Sequence, residues 1–428
     1  MRTEVRRLIL VGVAALAALT AQSPAPQKAT VAAAPPMPAI AAEVLSPRSR
    51  FESDLRFLTD EIGGRTTGSD AYEQALQWGL DSLKRAGVDG GSLEYYDAPS
   101  RWEGVRASAA VVSPYAFPLR VVSFALAPST GAELTAPLVD AGEGRPADFA
   151  RLGEKAKAAI ALVRSKPMRS FDDLFAEYLA GPEMAVAAAE SGVAAVLVIS
   201  TRPRGLLYRH TITFDGTMVP MPMVQVARED GLRLARLLEK GRDVRISLDV
   251  LNRVGGAWKP QNVVADIRGS SLPDEIVLLG AHLDSWDLGT GALDNGVNCA
   301  LVIEVARAIA AGPRPKRTVR FVLFTGEETG LLGSRGYVAT HKAEMAKHVA
   351  AVIHDIGDGK VLGYFTNGRP EIRPGLARAL SPVASWGSAG LVDEAILGTD
   401  NFDFLLEGVP NLIANQETEK YLPDYHAA

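Results

Sequence analysis

Apolar and polar positions recur along the chain with two different periods, which predict both helices and strands. Apolar residues at helical spacing predict a helix over 70–87, where a glycine ends the pattern. From residue 255 onward, strand and helix patterns alternate. The predicted strands there are 276–282, 318–325, 350–355 and 409–416, and the predicted helices are 298–311 and a run from Leu331. Such alternation predicts an α/β fold, with a mixed, largely parallel sheet flanked by helices.

A segment over 123–254 has a pattern of its own. Its β-like runs are 159–164, 194–200 and 244–250, and its helix-like runs are 184–192 and 229–241. We therefore expect an inserted α+β unit over 123–254, which interrupts a larger domain built from 49–122 and 255–428.

The N-terminal segment is typical of a targeting signal. A basic start precedes an apolar run over 8–21, which is shorter than the roughly 20 residues that span a bilayer. We predict a signal peptide over 1–21, cleaved after Ala21, and an Ala/Pro-rich linker over 22–48. A secreted or periplasmic protein follows, with no stable membrane insertion after cleavage; the alternative is an uncleaved membrane anchor.

Composition removes several classes of protein. With 428 residues, 47% of them apolar and 22% charged, the chain is not a disordered one. The 45 Lys and Arg against 50 Asp and Glu give a net charge of -5, so we expect no nucleic-acid partner. The single cysteine excludes an internal disulfide and a thiolate-rich metal site.

Side chains able to bind metals follow the predicted strands. They are His282, Asp284 and Asp294 after the first strand, Glu327 and Glu328 after the second, and Asp355 at the end of the third. Ligands of open α/β sheets bind at this carboxyl edge, and so many acidic groups would repel one another there without cations. Imidazole and carboxylate ligands without sulfur suit zinc, or manganese or cobalt by substitution. More carboxylates than one ion needs indicate two metals that share a carboxylate.

The same residues also have simpler interpretations. Glu327 and Glu328 could cap the following helix by accepting from its first amides. The glycines in GTGALD, over 289–294, begin like a dinucleotide loop, but Asp294 stands where a third glycine is needed, and its charge opposes a pyrophosphate.

Four segments together resemble a known family. They are HLDSWDLGTGALDNG at 282–296, FTGEETG at 324–330, HDIG at 354–357 and PDYH at 423–426. In this order they resemble the co-catalytic zinc exopeptidases that include carboxypeptidase Q and the bacterial secreted aminopeptidases, and the likeness covers roughly 49–428. The insert resembles a protease-associated domain. The resemblance implies the zinc exopeptidase fold and hydrolysis of short peptides or dipeptides.

The resemblance also implies a metal ligand set with two zinc ions per chain. One zinc ion would be bound by His282 and Asp355, the other by Glu328 and His426, and Asp294 would bridge them. By the same analogy, the peptide bond after Asp294 would be cis.

Two further positions receive roles from the resemblance. Glu327 would be the general base, and the carboxylate of Asp284 would hold the imidazole of His282. Tyr425, adjacent to His426, is a candidate donor to the developing oxyanion, and a structural role is the alternative for this tyrosine. The family's chains continue past the last histidine of the motif, so we expect this chain to be truncated at its C-terminal end.

Two other functions stay open at the level of sequence. A glutaminyl-cyclase-like acyltransferase would use the same fold with one zinc ion, and a catalytically inactive binding protein could use the same scaffold, as transferrin receptors do. The preference for a free amino or carboxyl end of the substrate is not determined by these residues, and a homodimer is also open.

Overall fold

A computed structural model describes residues 38–419 and 421–427 of the chain. The predicted signal peptide and most of the predicted linker lie outside the described residues. The strands, in chain order, are β1 (Gly90–Tyr95), β2 (Arg101–Ser113), β3 (Phe117–Leu119), β4 (Val121–Ser123), β5 (Leu134–Asp140), β6 (Ile160–Val163), β7 (Ala195–Ile199), β8 (Met223–Val226), β9 (Arg245–Gly255), β10 (Gln261–Ile267), β11 (Leu272–His282), β12 (Arg317–Phe324), β13 (His348–Ile353), β14 (Val361–Phe365), β15 (Gly390–Val392) and β16 (Asn411–Gln416). The α-helices are α1 (Ala39–Val44), α2 (Phe51–Arg56), α3 (Asp70–Ala86), α4 (Pro146–Leu152), α5 (Phe171–Ser191), α6 (Arg228–Glu239), α7 (Val297–Ala310), α8 (Leu332–Thr340), α9 (Arg373–Leu380), α10 (Phe402–Leu406) and α11 (Tyr421–Asp424).

The first sheet has eight strands in the order β1-β10-β12-β11-β13-β16-β14-β15. Its centre is parallel, because β12, β11, β13 and β16 all run the same way, while β1, β10 and β14 pair antiparallel with their neighbours toward the centre. Residues of β12 alternate between two cores. Phe321 packs with Val302 of α7 on one face, and Phe324 packs with Tyr337 of α8 on the other. Helices therefore cover both faces, which confirms the predicted fold class.

The second sheet also has eight strands, in the order β3-β2-β9-β5-β6-β7-β8-β4. Its earliest strand is β2, which begins at Arg101, so part of the chain before the predicted boundary at 123 already joins this sheet. The reason is that β2 pairs antiparallel with β9, more than a hundred residues away, from Arg101↔Gly255 to Ser113↔Arg245. Local residue patterns carry no signal for such a distant partner.

A helix replaces part of the predicted linker. Within 22–48, which we expected to be extended, Ala39–Val44 forms α1. Its Glu43 accepts a 2.6 Å hydrogen bond from Nη1 of Arg307 on α7. This tertiary contact orders a segment whose Ala/Pro-rich composition alone predicts no packed structure. No helix among the described residues is both long enough and apolar enough to cross a bilayer.

Candidate metal centre

The parallel strands bring the predicted side chains to one edge of the first sheet. β11 ends at His282, which lies opposite Phe324, the last residue of β12. On the other side, Gly280 pairs with Ile353. His282 and Asp355 each lie two residues beyond that pair, so the two side chains emerge at the same level of the carboxyl edge. The sequence prediction of a shared edge is confirmed.

The first cluster joins His282, Asp294 and Asp355. Nε2 of His282 lies 2.8 Å from Oδ1 of Asp355 and 3.0 Å from Oδ1 of Asp294. Nδ1 of the same ring lies 2.9 Å from the carbonyl oxygen of Asp284. Because a carbonyl only accepts, a neutral ring carries its proton on Nδ1 and directs the Nε2 lone pair at two carboxylates. That arrangement needs either a proton on Nε2 or a metal cation between the ring and the carboxylates.

The second cluster joins Asp294, Glu328 and His426. Nε2 of His426 lies 2.9 Å from Oε2 of Glu328 and 3.4 Å from Oδ2 of Asp294. Both carboxylate oxygens of the buried Glu328 lack a hydrogen-bond donor among the described residues. Asp294 thus offers one oxygen to each cluster, and the donor atoms of each cluster lie within 4.8 Å of one another. The Asp294–Asn295 peptide bond is cis, as the resemblance implies.

The electrostatics of the centre also favour bound cations. Burial raises the pKa of Glu328 to about 7 and raises the pKa values of Glu327 and Asp355 as well. Burial acts on Asp294 in the same direction, but the imidazoles of His282 and His426 hold its pKa below the ordinary value. The protein's own side chains therefore do not fully compensate this group of carboxylates. A divalent cation in each cluster would do so, and the nitrogen and oxygen donors suit zinc.

Asp284 occupies a different position from the one expected. Its main-chain carbonyl, and not its carboxylate, contacts Nδ1 of His282; the nearest carboxylate oxygen lies 3.7 Å away. The carboxylate accepts instead from the hydroxyl of Thr67 at 2.9 Å and from the main-chain N–H of Glu327 at 3.4 Å. Asp284 therefore connects the loop after β11 to the loop after β12, and its carbonyl orients the His282 ring.

The two remaining predicted residues lie beside the clusters. Glu327 precedes Glu328, is partly exposed, and belongs to neither group of donors. The ring of Tyr425 stacks on the imidazole of His426, with 3.6 Å between ring centroids. Its hydroxyl lies 2.8 Å from the hydroxyl of Tyr178 on α5, so the inserted unit reaches the edge of the centre.

A buried arginine holds the loop between the first two ligands. The side chain of Arg65 is fully buried and donates to the carbonyls of Leu283, Thr290 and Gly291. These bonds fix the loop that joins His282 to Asp294. Arg65 could not be predicted from the sequence because it lies more than two hundred residues before the loop, and no motif surrounds it.

Two hydroxyl donors were also missed. Tyr421 donates to Oδ2 of Asp294 at 2.9 Å, and Thr67, besides contacting Asp284, accepts from the N–H of Gly326 at 2.9 Å. The proximity of Tyr421 to the last motif, four residues before Tyr425, was the available signal. No feature of the sequence around Thr67 indicated its contacts with the metal loops.

Comparisons with known proteins agree with this geometry. Residues 262–428 match the profile of Peptidase family M28. The chain is 29% identical over 390 residues to carboxypeptidase Q of Xenopus laevis, covering 89% of this chain and 80% of that protein. A crystal structure of a peptidase M28 precursor from Shewanella amazonensis superposes with a TM-score of 0.81 at 29% identity, covering 91% of this chain and 88% of the other. The zinc aminopeptidase BSAP from Bacillus subtilis has a TM-score of 0.70 at 22% identity, covering 88% and 87%, and shows the shared fold.

The matched profile includes every strand that ends at the two clusters, and both clusters lie wholly within it. The relatives extend the likeness through the second sheet to nearly the whole chain. Over residues 262–428 the chain therefore matches Peptidase family M28, and together with the similarity of nearly the whole chain to carboxypeptidase Q this identifies a metal-dependent exopeptidase.

Proposed function

We propose that the protein binds two zinc ions and removes terminal residues from short peptides or hydrolyses dipeptides. The observation that carries this proposal is the position of Asp294, whose two oxygens face two different groups of donors. His282 and Asp355 complete one group, and Glu328 and His426 complete the other. A site for one ion does not need five ligands with a carboxylate shared in this way.

The buried, unpartnered oxygens of Glu328 and the inward lone pair of His282 fit metal ligands. When bound, a zinc pair polarises the peptide carbonyl and lowers the pKa of the attacking water toward neutrality. The chain's contribution is to hold five donors at strand ends and on the segments that follow them, and to keep the ligand orientation with Asp284, Arg65 and Tyr421.

Glu327 is the residue proposed to move protons. Its carboxylate is free of both donor groups and is partly exposed, while its N–H is fixed by Asp284. Burial raises the pKa of this group, which suits a base that accepts a proton from water and then gives it to the departing amine.

Tyr425 is proposed to stabilise charge on the attacked carbonyl oxygen. Its ring is fixed against His426, and the hydroxyl of Tyr178 orients its own hydroxyl. A hydroxyl held in advance toward developing negative charge costs no reorganisation during the reaction.

Substrate and location are part of the same proposal. The basic start and apolar run over 8–21 support export, so the peptides would be encountered in the periplasm or outside the cell. Similarity to carboxypeptidase Q and to aminopeptidases supports peptide ends as the reacting group.

The test combines one substitution with its neighbour as control. Glu327→Gln should retain both zinc ions and lose kcat by about 10²–10⁴-fold, because it removes the base and keeps the shape. Glu328→Gln should instead lose zinc from the second group. Substrates would be dipeptides with free or blocked termini, together with a peptide that begins with glutamine. Hydrolysis indifferent to both blocks would contradict an exopeptidase, and cyclisation without hydrolysis would favour the acyltransferase alternative.

A further inference from the structure

The main chain that carries His426 is bound by the inserted unit. The N–H of Arg209 donates to the carbonyl of His426 at 3.0 Å. One residue to either side, Tyr208 and Ala427 form an antiparallel β-bridge. The last ligand therefore sits on a segment that pairs, as a short strand would, with a loop of the second sheet's unit.

Side chains of the inserted unit hold the preceding residue. Nη2 of Arg202 donates to the carbonyl of Tyr425 at 3.4 Å, and the hydroxyl of Tyr178 contacts that of Tyr425. His426 itself has a φ of 58°, in the left-handed region that residues with a Cβ rarely occupy. Such a conformation persists where surrounding contacts hold it. Here the insert binds the carbonyl of His426, and within the segment the N–H of Ala427 donates to the carbonyl of Asp424 at 3.1 Å.

Arg209 connects this segment to the metal loop. Its guanidinium pairs with Asp287, with 2.6 Å from Nε to Oδ1 and 3.2 Å from Nη2 to Oδ2, and it donates to the carbonyl of Ser123 at 2.6 Å. The same guanidinium lies over the ring of Trp102, 5.0 Å from its centroid. Asp287 lies on the loop between His282 and Asp294. One residue of the insert thus touches the metal loop through its side chain and the last ligand through its main chain.

The first cluster depends less on the inserted unit. His282 ends β11 and Asp355 follows the adjacent parallel strand β13, and Arg65 holds the loop to Asp294 from outside the insert. The described contacts of Arg209 with that loop are at Asp287, whereas the insert holds the main chain of His426 itself.

We propose that the inserted unit positions the ligands of the second metal, and that the Arg209–Asp287 ion pair links this unit to the metal loop. The inference rests on the proposed two-zinc function. Weakening this ion pair should lower the affinity for the second zinc ion and leave the affinity for the first unchanged. Changes to groups that support metal ligands commonly lower metal affinity by about 10–100-fold, and we expect a loss of affinity for the second zinc ion in this range.

The experiment measures zinc dissociation constants by competition with a chromogenic chelator. Arg209→Met keeps the stem over Trp102 and removes the charge, and Asp287→Asn removes the charge from the other side. Each substitution should raise the dissociation constant of the second zinc ion at least about tenfold. Arg228→Ala is the matched control, since its guanidinium donates to Ser165 and Ser200 within the insert. It should change neither constant.

The Arg209→Met substitution in a His426→Ala protein distinguishes a positioning effect on the second site from a general loss of zinc affinity. In His426→Ala, only the first cluster can hold zinc, so adding Arg209→Met should leave that constant unchanged. Equal weakening of both sites, or no weakening in either Arg209→Met or Asp287→Asn, would overturn the inference while leaving the two-zinc function standing. A wild-type chain that binds only one zinc ion would overturn the proposed function and the inference together. Melting temperatures within a few degrees of wild type would confirm that the variants are folded.

Discussion

The hydroxyl of Tyr421 donates a hydrogen bond to Oδ2 of Asp294, with 2.9 Å between the two oxygens. Oδ2 is the oxygen that faces His426, so Tyr421 fixes the half of the shared carboxylate that serves the second cluster. A donor of this kind orients a metal-binding carboxylate.

Removal of that hydroxyl should therefore weaken zinc binding. We predict that Tyr421→Phe lowers the affinity for the second zinc ion by roughly tenfold, measured by chelator competition. Tyr95→Phe, on the exposed surface of β1, is the control and should have no effect. Equal zinc affinity in wild type and Tyr421→Phe would show that the hydrogen bond has no part in holding the ion.

The backbone beneath the metal loop leaves no room for a side chain at Gly64. A Cβ there would lie 2.6 Å from Cα of Asp287 and 2.8 Å from the carbonyl oxygens of Trp286 and Gly289. These are main-chain atoms of the loop that joins His282 to Asp294, so the loop itself would have to move.

Gly64→Ala should accordingly destabilise the protein by about 1–3 kcal/mol in urea unfolding, the usual range for overpacking. It should also lower activity, because the loop carries ligands. Gly90→Ala is matched in chemistry, and a Cβ at that position meets nothing within 4 Å. The prediction fails if the two alanine variants are equally stable.

His341 should make stability depend on pH. Burial lowers its pKa, but hydrogen bonds of 2.7 Å to Glu94 and 3.1 Å to Glu344 outweigh both burial and the charge of Arg320, and the net shift is upward. A raised folded-state pKa means that this contribution is fully present below the unfolded value of about 6.5 and is lost as pH rises through the folded value.

The comparison of wild type with His341→Gln isolates this effect, because the metal centre is common to both. The difference in free energy of unfolding should be largest near about pH 6 and should shrink by about pH 9. Urea unfolding at the two pH values measures it. A difference that is constant with pH would mean that the histidine is not charged in the folded protein.

The first sheet and its ligand edge could be predicted from sequence because their signals are local. Strands ending at His282 and Phe324 are marked by continuous β-branched and leucine runs, and the parallel arrangement then places the following side chains together. The five proposed ligands were assigned from motifs resembling a known family, and the structure brings all five into two groups.

What sequence could not supply depends on contacts between distant segments. The pairing of β2 with β9 brings residues before 123 into the second sheet. Arg65 and Thr67 contact metal loops that lie more than two hundred residues away in the sequence. Asp284 shows a finer limit. Its type and spacing predict contact with His282, but whether the carboxylate or the carbonyl makes it depends on the local backbone.

The two-metal centre is tested most directly by the zinc content of purified wild-type protein and of His426→Ala, measured by plasma mass spectrometry after zinc loading and dialysis. We predict two zinc ions per wild-type chain and one per His426→Ala chain, because Asp294 then serves only the group with His282 and Asp355. One zinc ion per chain in both proteins would contradict the shared-carboxylate, two-metal centre.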